Sequence, residues 1–257
     1  MGGAGLASLQ TTSVFFMNPA LLPHGPEMGL GLFYTDGLPS ASEHLTDLGA
    51  SIIDNNPDAM FPGALGYVER RRSFDGGGNY NETYWNLSLG NFVADQFSVG
   101  VSVVYLVTDF ENGPSHTQWD GVIGMLFSPY KRLGFAAVAY HFVSQESKIP
   151  EAIELAPKLA LGLNYLATDY LEARLDLGKQ TKYNSNNKWE LHAGLRSHFN
   201  KFLSMALGFE ADEFTDRKYY TGGFSFQGPR FQMDYALKIS TKDSIGTLHS
   251  VDIRTPF

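Results

Sequence analysis

Arg70, Arg71 and Arg72 stand in a row behind Glu69 and ahead of Gly76-Gly77-Gly78. Guanidinium groups bind carboxylates and phosphates through paired hydrogen bonds, so this run could hold a fatty-acid carboxylate or a lipopolysaccharide phosphate, or stand as a solvated loop cluster. Ser115, His116 and Asp120 come nearest to the nucleophile, base and polariser that a lipid-cleaving enzyme needs, but no hydrolase motif surrounds them. The seven histidines show no HExxH spacing, and the absence of Cys excludes disulfides and thiolate metal sites. His192 reads as a satisfied polar residue rather than a metal ligand. No catalytic residue, metal or cofactor is expected. With a net charge of −8 the chain also lacks the basic footprint of a nucleic-acid partner.

These side chains need positioning elements, and the elements are read from parity. The 257 residues include 27 Gly and 35 aromatics (19 Phe, 13 Tyr, 3 Trp), with 18% charged residues. Mean hydropathy is −0.17. The longest apolar stretch, Leu133 to Tyr140, is far short of the roughly 20 residues a spanning helix requires. A closed β-barrel crosses a membrane with apolar residues at only every second position, and its average hydropathy is near neutral. Phe97, Val99, Val101, Val103, Tyr105 and Val107 share one face, against Ser98, Gly100 and Ser102 on the other. Segments beginning at Trp119, Leu171, Trp189, Phe231 and Val251 alternate in the same way, with charges on one face only. Met28–Asp36, Tyr84–Phe92, Arg132–Val143, Pro157–Ala167, Phe202–Ala211 and Tyr219–Gln227 are less regular.

Together these predict an all-β, up-and-down antiparallel transmembrane barrel of about 12 strands, within a range of 10–14. Short connections (Val93–Asp95, Ser128–Lys131, Thr168–Tyr170, Phe199–Lys201, Gly228–Pro229) alternate with longer polar ones, the rhythm of periplasmic turns and outer loops. Counting back from Phe257 makes the strand number even and puts both chain ends at the periplasmic rim. Residues 26–257 form the barrel on this reading, and residues 37–82 become a long outer insertion. That insertion would hold a helix capped by Ser42 ahead of Leu45, Leu48, Ile52 and Ile53, and an alternating piece, Leu65–Arg71, whose recruitment into the wall would give 14 strands.

Val251, Ile253 and Phe257 share a face at the C-terminus, a terminal aromatic pattern like the signal read by the bacterial barrel assembly machinery. No charged and apolar leader precedes Gly2, so the chain reads as a mature outer-membrane protein after signal-peptide removal. Residues 2–20 read GGAGLASLQTTSVFFMNPA. Val14, Phe15, Phe16 and Met17 would be costly to leave in water, and Gly2, Gly3 and Gly5 permit tight packing against a wall.

The small-residue GGAG opening, the Ser/Thr-rich middle and Asn18-Pro19-Ala20 resemble the start of mature FadL-type long-chain fatty-acid transporters. The resemblance implies that residues 1–25 form a lumenal hatch, with Phe15, Phe16, Met17, Asn18, Pro19 and Ala20 inside the barrel. It implies a function of binding or passing hydrophobic molecules such as fatty acids or lipids. The alternative is a non-transporting homo-oligomeric barrel that organises or holds outer-membrane lipid.

Inward charges on four strands are nearly balanced: Glu172, Asp176, Glu190, Asp234 and Asp252 against Arg174, Arg196, Lys238 and Arg254. Cross-strand ion-pair ladders are expected from them. Arg132–Val143 and Pro157–Ala167 are apolar on both faces, with Tyr140 and Phe142 on the predicted inner one. That face could meet the hatch or a greasy ligand, or the outer face could meet a neighbouring subunit.

Overall fold

In a computed structural model, residues 1–8, 14–56, 62–143, 149–150, 153–180, 188–213, 215–241 and 246–256 are described, save the side chain of Val14. Phe257, one of the proposed assembly-signal residues, lies outside them. The alternating segments become the strands β1 (Met28–Ser40), β2 (Glu43–Asp54), β3 (Gly63–Phe74), β4 (Tyr80–Ala94), β5 (Phe97–Phe110), β6 (Ser115–Tyr130) and β7 (Leu133–Tyr140). They continue as β8 (Lys158–Thr168), β9 (Leu171–Gln180), β10 (Trp189–His198), β11 (Leu203–Asp212), β12 (Arg217–Gln227), β13 (Gln232–Ser240) and β14 (Thr247–Pro256). Each pairs antiparallel with its sequence neighbours, and β1 closes the barrel on β14 in a register running from Gly29↔Pro256 to Leu38↔Thr247. Closure leaves no free sheet edge, and the even strand number puts both ends of the wall at one rim.

The count is therefore 14, not 12. The expected insertion at 37–82 is two wall strands, β2 and β3, and the expected helix after Ser42 is β2. Leu45, Leu48 and Ile52 mimic helical spacing only because the wall alternates Leu45 and Ile53 inward with Leu48 and Ile52 outward. Asp47 and Gly49 occupy the inward positions between, and they hide the apolar alternation. The expected turn rhythm also reverses at this one place: residues 41–42 join β1 to β2 tightly, while the longer connection from β2 to β3 falls on the rim of otherwise short turns.

The outward face is apolar and exposed, with Leu32, Val101, Leu161 and Leu207 among the large residues on it. Tyr67, Trp85, Tyr105 and Trp119 lie opposite one another in register across β3 to β6 and form a row, with ring centroids 4.7 Å apart for Tyr67–Trp85 and 4.6 Å for Tyr105–Trp119. A second belt of exposed aromatics, Phe92, Phe127, Tyr130, Tyr170 and Phe202, marks the short-turn rim. From Trp119 to Phe127 a tilted strand rises roughly 20 Å along the barrel axis, close to the ~25 Å apolar band of membrane barrels.

The core lies inside the barrel. Leu6, Ala7, Ala20 and Leu21 pack against Val104, Val122, Leu126, Ala136, Val138 and Ala160, and a second cluster joins Phe15 and Leu22 to Ile53 and Ala64. Asn18 explains the local turn: its side chain accepts from the Ala20 N–H at 3.0 Å and caps a 3-10 turn, Pro19–His24, with Pro19 in the first position, where its missing donor costs nothing.

Candidate functional site

The N-terminal segment enters the lumen because the wall makes room for it. Gly2 and Gly3 take positive φ (59° and 77°), a region that suits glycine, and a Cβ on Gly2 would stand 2.7 Å from the Ala193 carbonyl oxygen. A Cβ on Gly100 would come within 2.6 Å of the Ala20 nitrogen, and one on Gly124 within 3.1 Å of Pro19 Cδ. The Pro19–His24 turn thus rests on bare backbone of β4, β5 and β6.

Polar atoms of the segment find partners in the wall. Asp176 accepts from the Gly5 and Leu6 amides at 2.6 and 3.0 Å. The Gly2 amide donates to Thr221 at 2.8 Å, and His192 Nδ1 lies 2.8 Å from the Gly2 carbonyl oxygen. Asn18, with no exposed surface, donates to the Leu6 carbonyl at 2.8 Å, and Ser98 donates to the Ala20 carbonyl at 2.7 Å. His24 sits against Phe92 (ring centroids 4.7 Å) with Nε2 3.2 Å from Ser98 Oγ, and burial lowers its pKa from the ordinary imidazole value.

Two cavities flank this segment. The larger, about 820 Å³, is lined by Leu6, Phe16, Met17, Phe33, Val68, Tyr84, Leu106 and Tyr140 on its apolar side. Phe16 stacks on Phe15 at 4.4 Å and meets Phe33 edge-on at 6.3 Å. Its polar lining holds Asp47, Glu82, Asp176, Glu190, Glu210, Asp212 and Asp252, against only Arg70 and Lys158 as permanent cations, with His141 and His192. Toward the loop rim Arg217 of β12 pairs with Glu43 of β2, and Tyr219 of the same strand donates to the Pro39 carbonyl at 3.3 Å, so the β1–β2 hairpin is tied to a strand that is not its wall neighbour. The smaller cavity, about 590 Å³, lies toward the short-turn rim, lined by Arg196, His198, Asn200, Lys201, Gln227 and Gln232 among others.

The structure separates the three arginines. Arg70 points inward to Asp47 (2.8 Å) and Glu82 (3.8 Å), Arg72 points inward to Glu43 (2.7 Å), and Arg71 points outward to Glu69 (2.6 Å). Arg70 and Arg72 both lie 3.8 Å from Glu82 Oε2, and Arg71 is turned away from them. Tyr140 lines the large cavity, donates its hydroxyl to the Met17 carbonyl and carries Lys158 Nζ 4.8 Å from its ring centre. Phe142 is not on its face: His141 has a positive φ of 56°, which breaks the alternation, and Phe142 lies outward over Gly121. The inner apolar face of β7 and β8 meets the N-terminal segment, as one of the three readings had it. Val251 lies between Tyr34 and Tyr235 in register, and Ile253 is exposed on the outward face.

Ser115, His116 and Asp120 do not converge. Ser115 bonds Asp109, His116 meets Phe110 edge-on at 6.1 Å, and Asp120 pairs with His141. Among the described residues no three His, Asp or Glu side chains are grouped to hold a metal ion. Of the expected cross-strand pairs, Arg254 meets Asp234 between β14 and β13; Arg174 pairs with Glu172 (2.8 Å) and Arg254 with Asp252 (2.9 Å) along their own strands, and Lys238 takes Glu210 (2.6 Å), an acid outside the expected set. Sequence reasoning missed Glu43 and Asp47 as partners of the arginines. Their signal was the i, i+4 acidic pair on one parity of β2, hidden by the helix-like leucines.

No protein-family model matches the chain, and no curated protein does. Solved structures do match. The Ralstonia pickettii toluene transporter TbuX aligns over 100% of this chain and 96% of its own, at 14% identity and a TM-score of 0.73. The CymD monoaromatic hydrocarbon channel aligns over 100% and 96%, at 13% identity and a TM-score of 0.78. A Pseudomonas aeruginosa FadL homologue aligns over 100% and 96%, at 13% identity and a TM-score of 0.69. The chain therefore shares its barrel fold with these transporters and channels, a FadL homologue among them, in agreement with the resemblance carried by its N-terminus.

Proposed function

We propose that this chain is an outer-membrane barrel through which small hydrophobic molecules pass, with residues 1–25 as a hatch across its lumen. The observation that carries the reading is the composition of the large cavity. Its apolar lining is supplied partly by the segment itself, through Leu6, Phe16 and Met17, so moving the segment would both open the lumen and dismantle the apolar surface. The outward apolar face between two aromatic belts supports membrane insertion. Transporters and channels with the same fold handle toluene and other monoaromatic hydrocarbons, by their descriptions. The excess of acids in the cavity, together with the engagement of Arg70 and Arg72 by carboxylates, favours an uncharged solute over a fatty-acid anion. Val251, Ile253 and Phe257 serve as the assembly signal on this reading.

The chain has no Cys, so one engineered pair tests the hatch cleanly. A Cβ on Gly134 would lie 3.7 Å from that of Ala7, close to the ~3.8 Å spacing of a disulfide. The variant A7C/G134C is expressed in Gram-negative cells, whose lipopolysaccharide leaflet slows apolar solutes, and uptake of labelled toluene is followed. Oxidised cells should fall to the rate of cells lacking the protein, and reduction should restore uptake. Equal uptake in both states would remove the hatch; no uptake by the parent chain would remove the passage reading.

A further inference from the structure

The small cavity at the short-turn rim has the opposite charge character to the large one. Arg196, His198 and Lys201 line it with the amides of Asn200, Gln227 and Gln232, and its one lining carboxylate, Asp169, pairs with Arg132 at 2.6 Å. Arg196 makes no hydrogen bond or ion pair with any described residue, and its Nε is buried. Glu172 stands directly opposite Arg196 in register; Arg174 takes its Oε1, through Nε at 2.9 Å, and its buried Oε2 accepts no hydrogen bond, so it gives Arg196 a nearby charge but no contact of matching geometry. Arg254, which neighbours Gln232 in register, is bound to Asp234 and Asp252. The buried Nε2 of His198 is also without a hydrogen-bond partner. Two polar nitrogens on one strand, two residues apart and therefore on one face, thus lack partners beside the same cavity. A guanidinium removed from bulk water is stabilised strongly only by an anion with matching geometry.

We propose that this cavity binds an oxyanion of the carboxylate or phosphate type, with Arg196 as its anchor and His198 and Lys201 completing the contact. The amide of Gln227 supplies a neutral donor beside it, that of Gln232 being engaged by Asp234, and Leu166, Tyr170 and Phe202 give an attached alkyl chain an apolar border. The site lies on the far side of the N-terminal segment from the large cavity, so it stands whether or not hydrophobic molecules pass through the barrel.

The test is titration calorimetry on the full chain in an uncharged maltoside detergent, with inorganic phosphate, octanoate and octanol as probes. Phosphate or octanoate should bind, octanol should not displace it, and Arg196→Gln should weaken binding at least tenfold. Binding by octanoate alone identifies an amphiphile head as the source, and binding by phosphate identifies a free anion. His198→Asn with Lys201→Gln keeps the test available if Arg196→Gln does not fold, and should weaken binding at least threefold. Absence of binding by both anions, equal affinity in the variants, or displacement by octanol would overturn the proposal.

Discussion

Where β4 to β8 meet the N-terminal segment the inner wall is made of small or apolar residues, Ser88, Gly90, Gly100, Val104, Val122, Gly124, Ala136 and Gly162, whereas along β9 to β14 it carries Glu172, Arg174, Glu190, Arg196, Asp234 and Arg254. The first arc touches the N-terminal segment through backbone and short apolar side chains. The second arc touches it through hydrogen bonds at Gly2, Gly5 and Leu6 and through two glycines of its own, Gly194 and Gly208, and otherwise directs most of its charges to its own neighbours. One wall thus has a dry arc that depends on shape and a polar arc that depends on charge. A change of a few atoms should be felt sharply in the dry arc and weakly in the polar one, because steric overlap has no substitute whereas a lost ion pair is partly replaced by water.

The strongest way to break this contrast is Gly100→Leu. Its side chain would enter the backbone of Pro19 and Ala20, and we expect a loss of roughly 2–3 kcal/mol, with the N-terminal segment cleaved more readily by protease than in the parent. Asn18→Ala should follow, removing the donor to Leu6 and the acceptor for Ala20 in a fully buried position; leaving those groups unpaired costs about 1–3 kcal/mol, read as a lower midpoint of denaturant unfolding in detergent. Lys238→Met in the polar arc, which removes the 2.6 Å pair with Glu210, should cost less than about 1 kcal/mol and lose its effect in high salt. If this change proved as damaging as Asn18→Ala, the contrast between the arcs would be wrong.

The smallest effect expected is one of pH, at the edge of the dry arc. Burial lowers the His24 pKa, so below the ordinary value of 6.5 the unfolded chain binds a proton that the folded chain resists. Stability from this group is fully present above that value and is lost as pH falls toward the lowered folded one. Unfolding midpoints at pH 7.5 and 5.5 should therefore differ more in the parent than in His24→Gln.

Much of the wall was legible in the sequence because apolar and polar residues keep opposite parity in β5, β9, β10, β13 and β14, where burial on one side and lipid contact on the other both act on side chains. β2 was not, since its inward face mixes Leu45 with Glu43 and Asp47, and only their pairing with Arg70 and Arg72 on β3 makes that mixture sensible. Phe142 was misplaced because a single left-handed residue, His141, resets parity, and no local pattern announces it. The burial of Asn18, Pro19 and Ala20 followed from the motif and from the cost of exposing Phe15 and Phe16. The charge count showed five acids and four bases on four strands, but a count cannot say which base goes unpartnered. That depends on Arg174 reaching Glu172 before Arg196 does, a matter of side-chain direction across the sheet.

The glycines that receive the Pro19–His24 turn have a consequence for how this protein tolerates change. A side chain in a contact surface can switch rotamer and absorb a neighbour's substitution, but a main-chain surface has no rotamers to switch. Each seat glycine is therefore an all-or-nothing position, while the next residue along the same strand, Val99 or Val101 beside Gly100, faces outward and can be exchanged for another apolar residue at little cost. A saturation-mutagenesis map of β5 should alternate between intolerant and permissive with a period of two, across a wall one residue thick.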